Sequence, residues 1–97
     1  MSLVTYELAD GVAQITMDDG KVNVLSSAMQ SEVRAALDRA EADGAVVLLR
    51  GRDKAFSAGF DLGTLQEGGD AALTMLRGGF ELAERLLSFP LPVVIAC

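Results

Sequence analysis

Residues Ala45 to Leu49 form a short, uniformly apolar run that closes into the charged turn Gly51-Arg52-Asp53-Lys54. Five such residues are too few and too apolar for a surface helix. They predict a buried, parallel strand. The stretch that follows, Ala55-Phe56-Ser57-Ala58-Gly59-Phe60-Asp61-Leu62, makes an apolar step, a bend of small residues and an acidic residue. Small residues at a bend let another molecule approach the backbone closely. A free peptide N–H at such a bend can hold a developing negative charge on an oxygen.

The segments around this bend set an α/β order. Val4 to Leu8 and Val12 to Met17 alternate or run apolar and β-branched, and Asp10-Gly11 between them is a hairpin signal. Asp18-Asp19-Gly20 closes the second strand as a turn, and Lys21-Val22-Asn23-Val24-Leu25 crosses to a helix. Ser27 and Gln30 suggest a capping box. Met29, Val33, Leu37 and Ala40 follow at helical spacing, and Gly44 stops the helix. Beyond the bend, Glu67-Gly68-Gly69-Asp70 is a break, with Asp70 placed to cap a second helix. Leu73, Leu76, Phe80, Ala83 and Leu87 are its expected core face. Gly78-Gly79 inside it is unfavourable by about 1 kcal/mol per residue relative to Ala, and marks close packing or mobility. Phe89-Pro90-Leu91-Pro92 ends that helix, since proline cannot continue it, and Val93 to Cys97 read as a strand cut short. The expected order is β-β-α-β-loop-α-β. The 97 residues suit one small domain, expected to be the N-terminal part of something longer.

The chain is 51% hydrophobic with four Phe, one Tyr and no Trp, a composition suited to a packed core of Val, Leu and Ala. Net charge is −6, from 14 acidic against eight basic residues. Such a surface repels nucleic acid, and no basic run or aromatic ladder relieves it. Lys21, Arg50, Arg52 and Lys54 sit outside the helical patterns, as solvated loop charge or as a scattered cradle for phosphates. The chain contains no His, which removes Ser-His-Asp and Cys-His catalysis and His-based metal sites from these residues. Cys97 is the single cysteine, so neither an internal disulfide nor a Cys-based zinc site can form within the 97 residues. A reducing cytoplasm fits that usage. The N-terminus lacks a basic segment followed by an apolar run, and no apolar stretch is long enough to cross a bilayer.

The segment Ala55 to Leu62 is similar to the signature of the crotonase superfamily, the enoyl-CoA hydratase/isomerase family. Three more segments agree in order. Lys21-Val22-Asn23-Val24-Leu25-Ser26 resembles its Lys-x-Asn-x-Leu-Ser step, and Ala45 to Gly51 its Val-Val-Leu-x-Gly strand. Phe89-Pro90-Leu91-Pro92-Val93-Val94-Ile95-Ala96 resembles its Pro-x-Pro-Val-Ile-Ala segment. The resemblance implies an α/β, crotonase-like (ClpP/crotonase) spiral of ββα units, of which this chain would be the N-terminal portion. It also implies homotrimers or homohexamers, acyl-CoA thioester substrates, and no cofactor beyond the coenzyme A that the substrate carries. Neither a nucleic-acid partner nor a membrane partner is expected.

By the same resemblance, two backbone N–H groups polarise the thioester carbonyl and stabilise an enolate-like oxyanion. One maps to Phe60, where many members carry Ala. The other lies in a Gly-rich turn after the last strand. The CoA-binding positions map to Lys21, Val22 and Ala58, with Gly59, Asp61 and Leu62 beside them; Lys21 is the leading phosphate contact. Asp61 is expected to act as a helix N-cap rather than a catalyst, and Ser57 has no base to make it a nucleophile. The Phe60 side chain either reshapes the acyl pocket or belongs to the core. The implied reaction is of the enoyl-CoA hydratase/isomerase type, a lyase of fatty acid metabolism. The alternatives are isomerisation, thioester hydrolysis or decarboxylation within the superfamily, or a non-catalytic acyl-CoA-binding subunit. In hydratases of the family, the two acid/base Glu residues lie beyond the second oxyanion turn.

Overall fold

The computed structural model describes residues 3–20, 23–52, 57 and 59–96. Strands β1 (Val4–Ala9) and β2 (Val12–Met17) form an antiparallel hairpin, followed by helix α1 (Ser27–Ala42) and strand β3 (Val46–Arg50). The short helix α2 (Leu62–Glu67), the long helix α3 (Gly69–Leu87) and strand β4 (Val93–Ala96) complete the order. The hairpin turns on Asp10 and Gly11, both at positive φ (52° and 78°), the geometry that matches the twist of paired strands. The four strands lie side by side in chain order, β3 parallel to both β2 and β4. This is the mixed α/β fold that the residue pattern predicts, with β3 as the parallel strand.

The core lies between the sheet and α1. Ala13, Ile15 and Met17 alternate inward along β2, and Val47 and Leu49 along β3. Met29, Val33, Ala36, Leu37 and Ala40 meet them from one stripe of α1. Leu37 is fully buried, and truncating it to Ala would destabilise by about 2–5 kcal/mol through lost transfer energy and the cavity left behind. Gly44, at φ 64°, ends α1 as expected, with its N–H donating to the Glu41 carbonyl.

The start of α1 departs from the expected capping box. Ser26, one residue earlier, is the N-cap, and its hydroxyl accepts from the Met29 N–H at 3.2 Å. Ser27 is already helical. Gln30 does not turn back to the cap: it is buried, and its Nε2 donates to Leu25 O at 3.0 Å and to Met75 O at 2.9 Å. A long-range bond to α3 replaces the local reciprocal one. At the start of α3 the N-cap is Gly68, and Asp70 lies inside the first turn. Asp70 meets the helix dipole there without closing the cap.

The expected core face of α3 is also displaced. Ala72, Met75 and Leu82 are the buried residues, whereas Leu73, Phe80 and Leu87 are 60, 71 and 89% exposed. Ala83 is exposed and Leu76 half-buried. This helix carries two apolar stripes, and spacing alone does not say which one turns inward. Close approach at Gly78 and Gly79 decides it, because α1 and the bend before α2 press on that side of α3.

Outside the core, Arg39 stacks over the Tyr6 ring at 4.2 Å, and the Tyr6 hydroxyl donates to Asp43 Oδ2 at 2.7 Å. Desolvation, reinforced by the Asp43 carboxylate, raises the Tyr6 phenol above its ordinary pKa. Among the described residues, no helix is long and apolar enough to cross a membrane.

Candidate active site

Asn23 organises the site. It is fully buried and left-handed (φ 57°), a conformation that Asn tolerates better than most residues. Its Nδ2 donates to the Met17 carbonyl at the end of β2, and its Oδ1 accepts from the Asp19 N–H, both at 2.9 Å. In return, Asp19 Oδ1 accepts from the Asn23 N–H and Asp19 Oδ2 from the Val24 N–H. The crossing segment is thereby fastened to the strand it leaves.

The bend is fastened to the crossing segment. The Ser57 hydroxyl donates to the Asn23 carbonyl at 2.7 Å and accepts from the Gly59 N–H at 3.1 Å. Gly59 has φ 89°, where a side chain would be strained, and bridges Val24 in parallel. The Leu25 N–H donates to the Gly59 carbonyl at 2.6 Å. Immediately afterwards Asp61 caps α2: Oδ1 accepts from the Gly63 N–H at 3.2 Å and Oδ2 from the Thr64 hydroxyl at 2.9 Å. Phe60 lies between these two anchored residues. Among the described residues its N–H has no hydrogen-bond partner.

The structure thus brings Gly59, Phe60, Asp61 and Leu62 together as one turn entering α2, with Leu62 the first helical residue. Lys21, Val22 and Ala58 fall outside the described residues, as does Lys54. Arg52, a candidate for the phosphate cradle, pairs with Asp18 at 3.3 Å. Asp18 also accepts from the Gly20 N–H, consistent with the turn read from the sequence. The Ser57 proton is committed to a backbone carbonyl, which leaves this hydroxyl a structural role. Both Asp61 oxygens serve the helix start, as expected of an N-cap. The Phe60 ring lies against Gly79 of α3.

Asn23, part of the Lys-x-Asn-x-Leu-Ser resemblance, and Asp19, read as a turn residue, were given no role in the site by the sequence. The available signal was an Asn four residues after an Asp in a turn-rich stretch, a spacing suited to reciprocal side chain–backbone bonds.

A hairpin, a crossing helix and a clamped glycine bend opening a second helix define a crotonase-like α/β chain. The model of the enoyl-CoA hydratase/isomerase family matches residues 7–97, and the chain belongs to that family. A probable enoyl-CoA hydratase of Rhodobacter capsulatus is 40% identical over 95 residues, which are 96% of this chain and 37% of that protein. A solved probable enoyl-CoA hydratase of Mycobacterium tuberculosis superposes with TM-score 0.96 at 51% identity, covering 99% of this chain and 42% of the other. A second solved structure of that same protein, described as an apo enoyl-CoA isomerase, gives TM-score 0.93, also at 51% identity, over 98% of this chain and 42% of the other. The chain spans about two-fifths of the length of these relatives.

Proposed function

We propose that the protein acts on acyl-CoA thioesters and that the Phe60 N–H supplies one donor of an oxyanion hole. The observation that carries this reading is the clamped bend, in which Gly59 and Asp61 are tied down and the N–H between them has no partner among the described residues. Enolisation or addition at a thioester places negative charge on the carbonyl oxygen. A preorganised N–H meets that charge without having to rearrange, and losing one such donor slows reaction about 10²–10³-fold. Backbone supplies the donor, so Phe serves here as well as a smaller residue.

In this reading Lys21, Val22 and Ala58 flank the nucleotide of CoA, with Lys21 on a phosphate, and Gly59, Asp61 and Leu62 form the wall beside it. The protein assembles as trimers or pairs of trimers. Hydration and isomerisation share the enolate-like oxyanion, in keeping with one relative that is described both as a probable hydratase and as an isomerase. Asp61 does not choose between them, because its carboxylate is engaged by the α2 N-terminus.

The test is Phe60→Pro in the full-length protein, which deletes the N–H. Turnover of a short enoyl-CoA should fall at least 100-fold while circular dichroism and CoA binding persist. Activity within tenfold of the unaltered protein in a folded variant would end the assignment.

A further inference from the structure

Two successive glycines in the middle of a 19-residue helix need a physical reason, since each is unfavourable by about 1 kcal/mol relative to Ala. Backbone conformation is not that reason. Neither Gly78 nor Gly79 has positive φ, so any residue could adopt their geometry. The reason is space. A methyl group on Gly79 would overlap Phe60 Cε1 and stand 2.6 Å from Phe60 Cζ. On Gly78 it would overlap Gln30 Oε1 and stand 3.3 Å from Gln30 Cδ. The pair forms a notch that receives one side chain from α1 and one from the active-site bend.

The two occupants differ in what they fix. Gln30 joins α1 to α3 through its bond to Met75 O. Phe60 joins α3 to the bend. Its ring is rigid, and its backbone is held on one side by the Gly59 carbonyl and on the other by the Asp61 cap. Gln30 Nε2 would itself lie 3.6 Å from a methyl on Gly79, so the ring has a neighbour along the notch as well as beneath it. Displacing the ring therefore pulls on the Phe60 peptide, whose N–H has no partner among the described residues.

We infer that Gly79 is a positioning residue: by accepting the Phe60 ring it sets the direction of the Phe60 N–H. The inference rests on that N–H being an oxyanion donor. Phe60 and Gly79 are then a large–small pair, in which α3 takes up the bulk that the bend carries. A 1 Å misplacement of a catalytic group can reduce rate about 100-fold, so a methyl group at Gly79 is enough to register.

The experiment is a double-mutant cycle in the full-length protein with a short enoyl-CoA, using Gly79→Ala, Phe60→Ala and both together. Gly79→Ala should lower kcat at least tenfold with KM changed less than threefold. In the Phe60→Ala background, the same substitution should change kcat less than twofold, because the ring it collides with is gone. Unchanged kcat in Gly79→Ala, or an equal loss in both backgrounds, overturns the inference. Should Gly79→Ala not fold alone, the comparison of Phe60→Ala with the double variant decides: equal kcat supports the inference, and a tenfold further loss overturns it. A kcat that survives Phe60→Pro removes the oxyanion reading itself. A kcat lost in Phe60→Pro but kept in Gly79→Ala removes only the role of Gly79.

Discussion

The Ser57 hydroxyl donates to the Asn23 carbonyl at 2.7 Å and so joins two segments that are 34 residues apart in the chain. The same oxygen accepts from the Gly59 N–H. One side chain therefore fixes both the position of the bend and its internal shape. Ser57→Ala should lower stability by about 1–2 kcal/mol and kcat by no more than about tenfold. Loss of a serine nucleophile would instead reduce kcat by about 10⁶. Steady-state kinetics beside urea denaturation separates the two roles.

Asn23 combines a left-handed backbone with a buried amide bonded through both Oδ1 and Nδ2. Asn23→Ala removes the side-chain bonds to Met17 and Asp19 and places an ordinary residue at positive φ, for an expected loss of about 2–4 kcal/mol. Asn23→Gly loses the same bonds without the backbone strain and should be the milder variant by about 1 kcal/mol. Equal urea midpoints for the two would show that the backbone geometry contributes nothing.

Tyr6 is the only tyrosine of a chain without Trp, so its ionisation can be read directly by ultraviolet absorbance. Burial and the Asp43 carboxylate favour the protonated phenol in the folded state, which raises its pKa above about 10. The sign follows from linkage. The extra stability is fully present below the unfolded pKa and disappears as pH rises through the higher folded value. The stability difference between the 97-residue chain and its Tyr6→Phe variant should therefore be constant below about pH 9 and shrink above pH 10. A phenol that titrates at or below the pKa of a free tyrosine peptide contradicts this.

The outer stripe of α3 presents Leu73, Phe80 and Leu87 to solvent at seven-residue intervals. Apolar surface aligned in this way favours association. The 97-residue chain should sediment above its monomer mass at micromolar concentration. Phe80→Glu with Leu87→Glu should shift it towards monomer without loss of helix signal. A wild-type chain that stays monomeric at those concentrations would show that the stripe does not self-associate.

How legible these features were depended on how far their causes reach along the chain. The hairpin at Asp10-Gly11, the Gly44 stop, the Asp61 cap and strand β3 have local causes, and the residue pattern shows each of them. Gln30 was misread because its partner, the Met75 carbonyl, is 45 residues away and a nearer partner satisfied the capping pattern. The face of α3 was misread because its two apolar stripes have the same period, and the glycine notch that chooses between them acts only in three dimensions. At the bend, the sequence assigned roles to Gly59, Phe60 and Asp61 but none to Asn23, which it held as a motif residue and which is bonded to Met17, Asp19 and Ser57.

The spatial order of the strands equals their order along the chain, and each new strand joins the free edge left by the one before. No edge has to be held open for a later segment to enter between strands already paired. The hairpin can form from its own turn, α1 can cover it, and β3 and then β4 can dock in succession. A chain emerging from the ribosome N-terminus first could thus build this sheet one strand at a time, exposing a single growing edge at each stage. The clamp between Asn23 and Ser57 could close as soon as β3 had docked and the bend had emerged, before α3 was available to receive the Phe60 ring.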